Sequence, residues 1–147
     1  SRRLSRTTQM IRLLFFVSLT VMMASSVTIT GQIMCKEAPI GGAKLYLRTM
    51  QGKSRSELQI DATTDDEGKF TVEVPERDLD LFKAPKATRH LDYENSCAKA
   101  AEKLKPGCVM ISTQAIPKVD KDAIDLGQIA AFMARPSPVC SKPDKKP

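Results

Sequence analysis

Residues 27–35 read Val27-Thr28-Ile29-Thr30-Gly31-Gln32-Ile33-Met34-Cys35. The stretch is rich in β-branched residues, and its apolar and polar side chains alternate. Successive side chains of a strand point to opposite faces, so this pattern predicts a strand with one buried face. Pro39-Ile40-Gly41-Gly42 follows as a turn. Ala43-Lys44-Leu45-Tyr46-Leu47-Arg48 then alternates again, with Ala43, Leu45 and Leu47 on one face. Two half-buried strands joined by a turn set the theme of an all-β chain.

The theme continues downstream. Gln51 to Ser56 is polar and reads as a loop. Leu58–Thr63 and Lys69–Val74 flank Thr64-Asp65-Asp66-Glu67-Gly68, the composition of a hairpin turn. Asp side chains accept bonds from nearby backbone N–H groups, and Gly supplies a positive φ. Residues 75–88, with Pro75 and Pro85, read as irregular. Ala87–Glu94 has the pattern of a further strand. Asn95 precedes an Ala-rich stretch closed by Pro106-Gly107, which predicts a short helix over residues 96–105. Val109–Ile116 and Asp125–Phe132 are the last strands. About seven short strands separated by turns predict a β-sandwich. Its core would hold Ile29, Ile33, Leu45, Leu47 and Val72.

The ends of the chain read differently. Arg2, Arg3, Arg6 and Arg12 precede an apolar run, Leu13–Met23, followed by the small residues Ala24-Ser25-Ser26. A basic start, an apolar middle and small residues before a cut at Val27 are the grammar of a secretory signal peptide over residues 1–26. The apolar run has eleven residues, whereas a spanning helix needs about 20. A permanent membrane anchor is therefore not expected, and the compactness of the run argues against a mitochondrial presequence. A leader starting at Met10 would have a more typical length. Residues 135–147 are dominated by Pro and Lys and predict a disordered tail, except where Cys140 ties it down.

Charge and composition exclude several functions. The chain has 147 residues, enough for one domain, and a net charge of +6. The leader holds four of the 23 basic residues and none of the 17 acidic ones, so the remainder carries only +2. No basic stripe interleaved with aromatics is present, and a nucleic-acid partner is not expected. There is no Trp, so a large aromatic ligand platform is not expected either.

Cys35, Cys97, Cys108 and Cys140 form an even set, which in a small exported domain predicts two disulfides. Four cysteines allow three pairings, and the sequence alone does not choose among them. No two are spaced for zinc, and a redox Cys-x-x-Cys is missing. His90 is the only histidine. Its neighbours Arg89 and Asp92 suggest a surface residue rather than a general base, which needs a partner and a pocket. Asp65-Asp66-Glu67 lacks the spacing of a calcium loop and reads as a turn. Asn95-Ser96-Cys97 lacks the hydroxyl residue of a glycosylation acceptor. No catalytic set, metal site or cofactor is expected.

Several of these pieces together resemble the nematode transthyretin-like family. The carriers are Gly31-Gln32-Ile33-Met34-Cys35, then Gly42-Ala43-Lys44-Leu45-Tyr46-Leu47, then Thr64-Asp65-Asp66-Glu67-Gly68-Lys69-Phe70, then Cys97 and Cys108, then Asp125-Leu126-Gly127-Gln128-Ile129. The resemblance spans roughly residues 27–132. It implies a prealbumin-like, seven- or eight-stranded Greek-key β-sandwich with one short helix, over residues 27–134. It also implies secretion. Cys35, Cys97 and Cys108 sit at family positions, which favours Cys35–Cys97 with Cys108–Cys140. The family usually has His-Asp just before the Cys, where this chain has Asn95-Ser96.

The resemblance implies a non-enzymatic extracellular protein that meets a protein or lipid surface through its loop ends. A carrier of a small apolar molecule or lipid is the alternative, and that version needs oligomerisation. A third reading follows from 5-hydroxyisourate hydrolase, which shares the fold and uses several His residues, an Arg and a C-terminal Tyr-Arg-Gly-Ser. One His and a tail reading Lys145-Lys146-Pro147 do not supply that set, so an enzyme is not expected.

Overall fold

The structure is a computed structural model that describes residues 26–97, 104–118 and 121–141. The signal-peptide reading of residues 1–26 lies outside them, save Ser26. So do most of the helix read over 96–105 and the last residues of the tail. The described ends of that helix reading, Ser96–Cys97 and Leu104–Lys105, are not helical.

The strands fall into two sheets, as an all-β sandwich requires. Val27–Cys35 (β1) is the centre of the first sheet. The two-residue strand Ala38–Pro39 (β2) folds back on its end. Leu45–Gln51 (β3), Ser54–Leu58 (β4), Lys69–Val74 (β5), Thr88–Glu94 (β6), Cys108–Ile116 (β7), Ala123–Ala130 (β8) and Ser137–Cys140 (β9) follow in order. β5 pairs antiparallel with β1 on one side, and β8 pairs parallel with it on the other. The second sheet runs β4-β3-β6-β7-β9, antiparallel throughout. The chain crosses repeatedly between sheets, and Leu79–Phe82 (α1) is a single helical turn on the β5–β6 crossing.

The expected core is present. Ile29, Ile33, Leu45, Leu47 and Val72 are all buried, joined by Phe70, Leu91, Tyr93, Ile116, Ile124 and Ile129. Burying each large aliphatic side chain contributes about 1.5–3 kcal/mol, and this is what holds the two sheets face to face. One detail of β8 follows from parity. Ile124 and Ile129 are five positions apart, so strict alternation would place them on opposite faces. Thr30 pairs with Asp125, but Gln32 pairs with Gln128. Leu126 and Gly127 thus oppose Gly31 alone, and this bulge restores Ile129 to the core. Gly127 takes φ +65° to make it.

Four expectations need correction. Residues 58–63 and 69–74 do not form a hairpin. Leu58 pairs with Leu47, and Thr63 bridges Lys44 in the second sheet, whereas β5 pairs with β1 in the first. The turn between them exists, but it is a corner that moves the chain from one sheet to the other. Gln51–Ser56 is not a loop. Gln51 pairs with Ser54, so a two-residue turn leads directly into β4. That strand is an edge with mostly exposed side chains, which is why its composition looks like a loop. Residues 76–82 are helical rather than irregular, and they bury Phe82. Ser137–Cys140 is an edge strand rather than disorder.

The disulfides are Cys35–Cys97 and Cys108–Cys140, the pairing that the family resemblance favours. The first ties the end of β1 to the segment after β6, across 62 residues. The second links directly paired residues of β7 and β9.

Candidate functional site

The residues that carry the sequence motif around 64–70 are committed to the fold. Thr64 is buried. Its hydroxyl donates to the Ile40 carbonyl at 2.7 Å and accepts the Ala43 N–H at 2.9 Å. The Asp65 carboxylate accepts the N–H groups of Glu67 and Lys69, both at 2.9 Å. Gly68 takes φ +74°, and a Cβ there would collide with the Ile33 carbonyl. The acidic cluster is therefore a turn whose leading carboxylate oxygen is already used.

His90 and its two neighbours are separated by the pleat. His90 and Asp92 face outward from the second sheet, and Arg89 faces inward. The His90 ring Nε2 is 3.2 Å from the Thr88 hydroxyl. Partial burial, then the nearby Arg48 charge, lower the His90 pKa below its usual value, against a smaller opposing pull from Asp92. Arg89 is buried and donates to the carbonyls of Phe82, Ala84 and Ala87. Its guanidinium lies 5.5 Å from the centre of the Phe82 ring. It fastens the crossing loop and takes no part in a site with His90.

Asp92 has a different partner. Arg48 Nε donates to its carboxylate at 2.7 Å, and the Thr113 hydroxyl donates to the other oxygen at 2.6 Å. These residues sit side by side on β3, β6 and β7, and Asp92 is only 6% exposed. The result is a rigid polar plate on the outer face of the second sheet. Arg48 and Asp92 are 44 residues apart, so nothing in the sequence links them beyond their outward strand positions.

The candidate recognition site lies on the outer face of the first sheet, where the bulge opens a hollow of about 420 Å³. Gly127, with open space where a side chain would stand, leaves bare backbone in its floor, while the Phe70 ring fills the side-chain space at Gly31 beneath it. Thr30, Gln32, Lys69, Thr71, Asp125 and Gln128 form the rim. Several of these are held in place. Gln32 Nε2 donates to the Glu67 carbonyl at 2.7 Å, Gln128 Nε2 reaches Gln32 Oε1 at 3.4 Å, and the Gly127 N–H donates to Asp125 Oδ1 at 2.8 Å. Lys69 pairs with Glu67 at 2.9 Å. The arrangement offers amide, hydroxyl and carboxylate groups around an exposed backbone patch, which is chemistry for docking a polar surface. Loop ends were the expected contact region, whereas this hollow is on a sheet face. The usable signal was Gly127 inside a strand pattern, because an interior strand glycine marks a bulge or a close approach.

Among the described residues, no group of three or more His, Cys, Asp or Glu is placed to hold a metal ion. Among them also, no helix is long and apolar enough to cross a membrane. No family model matches the chain, and no curated protein matches it. Among solved structures, a 9R-lipoxygenase from Cyanothece PCC8801 is similar at 14% identity, with a TM-score of 0.47. That match covers 74% of this chain and 17% of the lipoxygenase, so the chain spans about a sixth of that protein's length.

Proposed function

We propose that the chain is a secreted, non-enzymatic recognition protein of the transthyretin-like family, with a prealbumin-like Greek-key fold. Repeated crossings between two sheets, and two disulfides of the kind that persist in oxidising compartments, support the fold and the location. The observation that carries the recognition reading is the hydrogen-bonded hollow over the Gly31–Gly127 bulge. A rim already held in one geometry loses little entropy on docking, which favours recognition of a polar group on an extracellular protein or lipid surface.

The test is expression with the leader in a eukaryotic host, followed by native mass spectrometry and cell-surface binding. A secreted monomer starting at Val27, lighter by four hydrogens than the reduced chain, is the expected product. Its binding should disappear in Gln128→Arg, which fills the hollow from an exposed position. An oligomer that retains extra mass would favour a carrier of a small apolar molecule. A chain kept inside the cell with its leader attached would overturn the proposal.

A further inference from the structure

The two disulfides sit in unlike surroundings. Cys35 and Cys97 are partly buried and pack against the hydrophobic core. Cys140 is exposed, and its bridge to Cys108 lies at the open edge of the second sheet. β9 buries none of its four residues, and Val139 is 53% exposed. Among the described residues, the apolar cross-strand partner of Val139 is Val109, itself 38% exposed, so no buried apolar contact holds this strand down. It is held by its ladder to β7 and by one covalent bond.

The ladder itself is thin. The Ser141 N–H donates to the Gly107 carbonyl at 3.0 Å. Antiparallel pairs alternate between bonded and non-bonded, so Val109/Val139 and Ile111/Ser137 are the bonded pairs. Cys108/Cys140 and Met110/Pro138 are the non-bonded ones. The Pro138 nitrogen thus faces the open edge, where its missing N–H breaks no ladder bond and denies a donor to any added strand. β7, by contrast, runs nine residues without a proline. Over Cys108–Ile111, β9 covers an edge that could accept another strand and presents one that accepts poorly.

We propose that Cys108–Cys140 is a reducible clasp, and that an external dithiol opens it to release β9 and bare the Cys108–Ile111 part of the β7 edge. A thiolate of the dithiol attacks the exposed Cys140 sulfur, and Cys108 leaves as a thiolate that takes up a proton. The second thiol of the reductant then attacks the mixed disulfide and frees Cys140. The two electrons come from the dithiol, which departs as a disulfide. The Cys35–Cys97 bridge, packed on the core, stays closed. Opening is local because only the strand at the edge loses its tether.

Two measurements on the folded protein test this. Limiting dithiothreitol followed by alkylation and peptide mapping should label Cys108 and Cys140 at least about tenfold faster than Cys35 and Cys97. Hydrogen exchange on the same sample should show the Val109 and Ile111 amides losing protection, while the amides of β1 keep theirs. Equal labelling of the two bridges, or β7 amides that stay protected after reduction, would overturn the proposal. The double variant Cys108→Ser, Cys140→Ser should fold and show fast exchange at Val109 and Ile111 without reductant. If it fails to fold, the bridge is structural and the clasp reading is wrong.

Discussion

The Phe70 ring occupies the space that a side chain at Gly31 would need. The two residues are direct partners across β1 and β5, and a Cβ on Gly31 would stand 2.6 Å from Phe70 Cζ. An aromatic ring laid over a cross-strand glycine covers backbone that would otherwise be poorly packed. Gly31→Ala should therefore destabilise the fold by about 1–3 kcal/mol through overpacking. Combining it with Phe70→Leu should recover part of the loss, because residues in contact do not add independently. Urea unfolding of the single and double variants checks this, and strict additivity would refute it.

Asn95 is the second prediction. It is 1% exposed and uses its whole side chain. Nδ2 donates to Ser112 Oγ and to the Ala131 carbonyl, both at 2.9 Å, and Oδ1 accepts the Cys97 N–H at 3.0 Å. Asn95→Ala takes this partner from the buried Ser112 hydroxyl and the part-buried Cys97 N–H, leaves the Ala131 carbonyl only its Ala134 N–H donor, and should cost about 2–4 kcal/mol. Asn95→Asp keeps the acceptor but turns a carboxylate oxygen toward the Ala131 carbonyl, so it should not rescue. A midpoint in urea unchanged from wild type would contradict this role.

How much of this was legible follows from what each residue answers to. Ile29, Ile33, Leu45, Leu47 and Val72 announce themselves by alternation, because a half-buried strand must alternate. β4 and β9 do not, because edge strands with exposed side chains have no burial pattern to display. The corner at 64–68 reads as a hairpin because turn chemistry is local, whereas the sheet each flanking strand joins depends on distant partners. Asn95 reads as a helix cap. Its bond from the Cys97 N–H has the cap's i to i+2 form, but its ties to Ser112 and Ala131 are long-range. The hollow was the least legible feature. It depends on the pairing of Gly31 with a bulge almost 100 positions later, and only the glycines hinted at it.

His90 gives a pH prediction. Its folded pKa lies below the unfolded value of 6.5, because burial and Arg48 disfavour the charged ring. Below pH 6.5 the unfolded chain then binds more protons than the folded one. The stability associated with neutral His90 is thus fully present above pH 6.5 and is lost as the pH falls through the lowered folded value. His90→Gln should flatten that part of the stability curve. Thermal melts of both proteins between pH 7.5 and pH 4.5 check it, and parallel curves would count against it.

Tyr93 supplies the last prediction. It is 1% exposed, and among the described residues no well-formed hydrogen bond reaches its hydroxyl. Burial raises its pKa above the usual 10, against a smaller lowering pull from Ser112, opposite it on β7. An unsatisfied buried hydroxyl costs about 1–3 kcal/mol relative to one left in water. Phe fills the same volume without that atom, so Tyr93→Phe should leave stability unchanged or raise it by about 1 kcal/mol. The raised pKa adds a second readout: the folded chain should resist alkali until above pH 10, then lose stability as the unfolded phenol ionises first. Tyr93→Phe should lessen that alkaline loss. Were Tyr93→Phe instead clearly destabilising, the hydroxyl would have to be bonded in solution, and Ser112, its cross-strand partner on β7, is the group to test by a double-mutant cycle.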